Sequence, residues 1–233
     1  MKALIYTHHP DEGPGLLEEI LKERKWEVKE IGFWNGEKIP DPDPFHLLIL
    51  MGGPMSVSQE DLYPFLVEEK AFVRAWVNEG NPTLGICLGA QLIADSQGSR
   101  VYKGIKEEVG WYELIMTSEG KKDPLLGKFP ARFPVFQWHG ETFDVPNNAI
   151  LLATSREYPH QAFRYGKHTY AFQFHFEITK DMVQRWLSAS EINISQKRNI
   201  LTNLPSFLTP INRLCRMFME PFLQSIETQK MGT

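Results

Sequence analysis

Through the first half of the chain, short apolar runs alternate with stretches whose apolar residues recur every three or four positions. Residues 3–6 form the first run; after the Gly13-Pro14 turn signal, Leu16, Leu17, Ile20 and Leu21 recur at helical spacing, and residues 26–31 alternate as a second strand. The run 47–51 is unbroken and closes at Gly52-Gly53-Pro54, the pattern of a central strand covered on both faces. Residues 64–79 set Phe65, Phe72, Val73, Trp76 and Val77 on a stripe among charges, which predicts a helix, and 82–86 predicts the next strand. This strand–helix rhythm implies an α/β fold: a central, mostly parallel sheet flanked by helices.

After residue 100 the period changes. Segments 111–116, 133–138, 150–153, 161–165 and 169–175 alternate with period two between turns, which predicts additional, antiparallel strands. Helical spacing returns at residue 179, with Met182, Val183, Trp186 and Leu187 on one face and Thr179 or Asp181 as the cap. Residues 206–226 carry an apolar stripe, including Phe207, Ile211, Phe218 and Phe222, interrupted by Pro210 and Pro221. That stripe is expected to pack on the body or on a second subunit, as in a homodimer. The chain is thereby divided into a main domain, 1–190, and a helical C-terminal extension, 191–233.

Composition removes several functions from consideration. At 233 residues and 42% hydrophobic, the chain can bury roughly 70% of its unfolded surface without a disulfide or metal staple. A net charge of −4 with no long run of like charges gives no footprint for nucleic acid or an anionic membrane. Cys87 and Cys215 are too few for a disulfide framework, which points to a reducing compartment. The apolar run after Met1 is too short for a signal-peptide core, and nothing approaches the roughly 20 apolar residues that cross a bilayer. The expectation is a cytoplasmic protein, and no residue pattern calls for a metal or organic cofactor.

The chemistry concentrates at 82–94. A strand stops at Gly85, a helix begins near Gly89, and Cys87 stands at the sharp turn between them, the layout of a nucleophile elbow. Glycine two positions to either side leaves room for the neighbouring backbone, and the helix N-terminus favours a thiolate. The bland alternative is a buried cysteine used as a small hydrophobe. A nucleophile needs a base and a group that orients it. In 171–177 the phenylalanines 172, 174 and 176 share one face and Gln173, His175 and Glu177 the other, so Glu177 can hold one imidazole nitrogen of His175 and leave the second for the thiol. A solvated strand face is the alternative there, weakened because a central strand is covered on both sides. The glycines at 52 and 53 end the strand expected beside that of Cys87, where their N–H groups could stabilise an oxyanion, though Gly-Gly-Pro is also a common turn.

Together, Gly52-Gly53-Pro54, Gly85-Ile86-Cys87-Leu88-Gly89-Ala90-Gln91 and Gln173-Phe174-His175-Phe176-Glu177 resemble the class I (triad, C26-type) glutamine amidotransferase domain, most closely the stand-alone proteins related to the glutaminase half of GMP synthase. Further matches are Glu108-Val109-Gly110-Trp111, the stretch 136–143 and the stretch 160–166, and the likeness covers about residues 1–190. The resemblance implies a flavodoxin-like glutaminase in which Cys87 attacks the glutamine side-chain amide, His175 protonates the leaving ammonia and then activates water against a γ-glutamyl thioester, and Glu177 orients His175. It also implies an oxyanion hole from the N–H groups of Gly53 and Leu88, and a substrate pocket lined by Gln91, Trp138, His139 and Gly140. His139 has an equal reading as a hydrogen-bonded histidine at a strand end; His160 and His168 read as structural, and His8, His9 and His46 carry no argument.

The chain departs from the family in having Phe176 where proline is usual, and in lacking the Ser-Gly-Gly-x-Asp-Ser loop of an ATP pyrophosphatase domain. Released ammonia would therefore pass to a separate synthase subunit or to solvent. A γ-glutamyl peptide hydrolase uses the same thioester and is the alternative enzyme. A non-catalytic regulatory module on the same fold is the alternative outside enzymology, opposed by the intact Cys87, His175 and Glu177. Cysteine-elbow proteins of the peptidase or chaperone kind place the base differently.

Overall fold

The protein is described by a computed structural model covering residues 1–231, the side chain of 231 aside. Residues 232 and 233 of the expected extension lie outside the described residues. The first half builds the parallel part of the sheet: β1 (Lys2–Thr7), α1 (Leu16–Glu23), β2 (Glu27–Gly32), β3 (Leu47–Leu50), α2 (Phe65–Asn78), β4 (Thr83–Ile86) and α3 (Leu88–Ser96). The second half adds β5 (Val101–Met116), β6 (Arg132–Phe143), β7 (Ile150–Thr154), β8 (Ala162–Tyr165) and β9 (Thr169–Phe172), then α4 (Lys180–Ala189) and α5 (Ile194–Met231).

One nine-stranded sheet runs β2-β1-β3-β4-β9-β8-β7-β5-β6. From β2 to β9 every pairing is parallel, in the flavodoxin-like order; from β9 to β6 every pairing is antiparallel. Strand alternation sorts the core into two layers. Ala3, Ile5, Leu47, Ile49, Leu84 and Ile86 face α1 and α5, whereas Leu4, Tyr6, Leu48 and Leu50 face α2 and α3. In such sheets ligands sit outside the carboxyl ends of the strands, here after Thr7, Leu50, Ile86 and Phe172.

Three expectations change. The strand expected over 169–175 ends at Phe172: the chain leaves β4, and His175 instead exchanges backbone hydrogen bonds with Phe136 of β6, at 2.8 and 3.3 Å. The sorting of side chains survives although the chain bends at 173, 174, 176 and 177: Phe172, Phe174 and Phe176 share one core cluster, while Gln173 approaches Cys87 and His175 bonds Glu177. β5 begins at Val101, ten residues earlier than the alternation at 111–116 suggested; its first half is polar and pairs only with the edge strand β6 across a bulge between Lys103 and Glu108. The stripe at 206–226 is not broken by Pro210 and Pro221: α5 is a single helix running through Pro205, Pro210 and Pro221. An interior proline costs about 3 kcal/mol, and the burial of Ile211, Leu214, Phe218, Phe222, Leu223 and Ile226 against the sheet, at about 1.5–3 kcal/mol for each large side chain, offsets it. Thr179 caps α4, its hydroxyl accepting from the Met182 N–H. Among the described residues no helix is long and apolar enough to cross a membrane.

Candidate active site

Cys87 sits between β4 and α3 with φ 52° and ψ −108°, a conformation that L-residues rarely adopt. Its neighbours explain why the turn tolerates this. A Cβ on Gly89 would collide with the Leu50 carbonyl oxygen and stand 2.6 Å from its carbon, and one on Gly85 would lie 2.5 Å from the Gly89 oxygen. The two glycines let strand, turn and helix pack backbone to backbone, and the Cys87 N–H is tied to Phe172 O at 2.8 Å. Gly89→Ala should therefore cost about 3 kcal/mol in urea unfolding, since the obstacle is a neighbouring strand's backbone. Gly13→Ala, whose Cβ meets nothing within 4 Å, should stay within about 0.5 kcal/mol.

The elbow places Sγ in a cavity of about 620 Å³ at the carboxyl ends of the strands. Behind it, His175 Nδ1 lies 2.7 Å from Glu177 Oε1, both side chains buried, which leaves Nε2 for other partners. Burial alone would lower the His175 pKa; the Glu177 carboxylate and the hydrogen bonds to Cys87 and Glu177 outweigh it and hold the imidazole well above its ordinary value. Trp186 of α4 packs edge-on against the His175 ring at 4.9 Å, and its Nε1 donates to Asp11 O at 2.8 Å. Glu177 is fixed through its backbone: its carbonyl accepts from Leu16 N at 2.8 Å, and Asn212 of α5 donates to the adjoining carbonyls of Phe176 and Ile178 at 3.5 and 2.9 Å.

Gly53, Gln91, Trp138, His139 and Gly140 all line the same cavity as Cys87, and Leu88 is buried at the first turn of α3 beside Gly53. Cys87 Sγ approaches Trp138 O at 3.7 Å, and Gln173 Nε2 approaches Sγ at 3.8 Å while its Oε1 accepts from Gln91 at 3.3 Å. His139 lies within β6 and not at a strand end. It borders the cavity, and its ring is fully bonded, Nε2 to the buried Glu108 carboxylate at 3.1 Å and Nδ1 to Glu141 O at 2.9 Å. His160 bonds Phe143 O at 2.7 Å, away from the thiol.

Sequence reasoning gave no role to four neighbours. Glu12 lines the cavity beside Gly52; burial raises its carboxyl pKa, against the pull of His175, His8 and His9. His8 and Glu69 form a buried pair, and Glu108 anchors His139. Position directly after β1, at the carboxyl end of a strand flanked by β2 and β3, is the signal that could have found His8 and Glu12. Cys215, the second cysteine, is enclosed in the α5 core, where burial pushes its thiol well above the ordinary value.

The family model for the class-I glutamine amidotransferase matches residues 17–188. The glutamine amidotransferase-like protein YfeJ of Salmonella typhimurium is 29% identical over 82% of this chain and 82% of its own length. The GMP synthase of Thermosipho melanesiensis is 33% identical over 77% of this chain, which spans only 33% of that enzyme. A crystal structure of a glutamine amidotransferase from Thermotoga maritima superposes with a TM-score of 0.87 at 34% identity, covering 95% of this chain and 97% of that one. With its model matched over most of the chain and a solved member alike from end to end, the class-I glutamine amidotransferase family is the one to which this chain belongs.

Proposed function

We propose that the protein hydrolyses the side-chain amide of L-glutamine through Cys87, His175 and Glu177. The observation that carries this reading is the elbow itself: a cysteine held at φ 52° in the cavity, backed by the 2.7 Å His175–Glu177 pair. Sγ attacks the amide carbonyl carbon, its proton passing to His175 Nε2. The tetrahedral oxyanion rests on the N–H groups of Gly53 and Leu88, which costs no reorganisation because both belong to backbone already in place. His175 returns the proton to the leaving nitrogen, and ammonia departs from a γ-glutamyl thioester. Water then gives a proton to His175 and adds to the thioester; glutamate leaves as the thiol is restored. Gln91, Trp138, His139 and Gly140 wall the substrate. In this reading the ammonia is released in the cytoplasm and serves a separate synthase subunit.

The cavity volume supports a second reading. About 620 Å³ leaves room for a group beyond the γ-carbonyl, as in a γ-glutamyl peptide, whose amine would leave in place of ammonia. One assay separates them: purified protein is given L-glutamine or γ-glutamyl dipeptides, and ammonia, free amine and glutamate are quantified. Equal ammonia and glutamate from glutamine is the expected result. Cleavage of the dipeptides alone would install the peptidase reading, and turnover of neither would overturn both.

A further inference from the structure

Besides His175–Glu177 and His139–Glu108, a further buried histidine–carboxylate pair lies at the site and makes no hydrogen bond to the thiol. His8 directly follows β1, Glu69 lies in α2, and both side chains are fully enclosed. His8 Nε2 is 2.9 Å from Glu69 Oε1, and Nδ1 is 3.0 Å from the carbonyl oxygen of Gly52. A carbonyl can only accept, so Nδ1 carries a hydrogen and donates it to Gly52. The remaining proton lies between Nε2 and Glu69, as imidazolium facing carboxylate or imidazole facing carboxylic acid. In either form the donor to Gly52 is kept.

The Gly52 carbonyl and the Gly53 N–H belong to one peptide group. Donation into the carbonyl end of an amide withdraws electron density from its nitrogen and makes the N–H a stronger donor, more so where the dielectric is low. The same peptide is held sterically: a Cβ on Gly53 would lie 2.7 Å from His8 Cβ and Met55 Sδ and 2.8 Å from Leu88 Cδ2. Two apolar side chains would fill this space without the desolvation penalty of an ionisable pair, and Glu69 Oε2 has no hydrogen-bond partner among the described residues.

We propose that His8 and Glu69 are a positioning pair that fixes and polarises the Gly52–Gly53 peptide, so that the Gly53 N–H is a strong oxyanion donor. The inference rests on the reading above, in which that N–H binds the oxyanion. The site then holds, beside the His139–Glu108 pair, two histidine–glutamate pairs with different targets, one moving the thiol proton and one acting through backbone. The surroundings fit: burial opposes charge on His8, but Glu69, the bond to Gly52 and, more weakly, Glu12 raise its pKa.

The test uses the full chain with the γ-glutamyl amide that it hydrolyses. In His8→Gln the amide nitrogen replaces Nε2 and keeps Glu69 but loses Gly52; in His8→Asn it replaces Nδ1 and keeps Gly52. His8→Gln should lower kcat by about 10- to 100-fold with KM within about twofold, less than the loss of an oxyanion donor outright, and His8→Asn should recover much of it. Alkylation of Cys87 by iodoacetamide, a displacement at saturated carbon that builds no oxyanion, should change less than about twofold in both variants; the buried Cys215 does not compete. If kcat and alkylation fall together, the pair is structural and the inference is overturned. Unchanged kcat in His8→Gln overturns it alone. A wild-type protein that alkylates yet turns over no γ-glutamyl amide overturns the underlying reading and this inference with it.

Discussion

Cys87→Ala should bind glutamine and release no ammonia from it, with kcat lower by about 10⁴-fold or more. Alanine carries the same Cβ as cysteine, so the strained turn at φ 52° and the packing of Gly85 and Gly89 are unchanged. Only Sγ is removed. No second thiol can stand in, because Cys215 is enclosed by the sheet and α5. Glutamine binding read by calorimetry, beside ammonia read by a coupled assay, separates loss of chemistry from loss of fold. Retained turnover would move the nucleophile elsewhere.

Glu177→Gln should lower kcat by roughly 10³- to 10⁴-fold with smaller change in KM, the scale seen when the orienting carboxylate of a triad is neutralised and the imidazole takes the wrong tautomer. The substitution should also show in stability against pH. His175 titrates well above the ordinary histidine value when folded, so its contribution is complete below the unfolded value near 6.5 and is lost as pH rises through the folded value. Wild-type stability should thus fall on raising the pH above about 6.5, and the slope should be shallower in Glu177→Gln, where the largest influence raising that pKa is gone. Parallel slopes in urea unfolding from pH 6 to 9 would contradict the assigned contact.

The parts of the site that were readable in the sequence are those whose geometry is local. Gly85, Cys87 and Gly89 lie within one turn of chain, so spacing alone implies the elbow, and the alternation Gln173, His175, Glu177 puts three polar groups on one side even though the strand ends at Phe172. Residues brought in from afar were not readable. Glu69 sits on the helical stripe 64–79 and looks like any solvated glutamate until β1 delivers His8 to it, and Glu108 gains its meaning only from the bulged pairing of β5 with β6. The prolines of α5 misled for a related reason: local propensity opposes a helix there, and tertiary burial decides.

The position of α5 has a consequence for timing. Its Asn212 holds the carbonyls on either side of Glu177, Phe218 packs on Phe172 and Phe176, and Arg216 and Arg24 join it to α1 through Glu23 and Glu227. At a synthesis rate of about 5–20 residues per second, every strand of the sheet leaves the ribosome before this helix can land. Until it does, a row of phenylalanines behind the polar segment 173–177 stays uncovered, and the nascent chain is at its most exposed to aggregation and to chaperones. The support behind Glu177 thus arrives only after the sheet is made, from a helix none of whose described residues lines the cavity around Cys87.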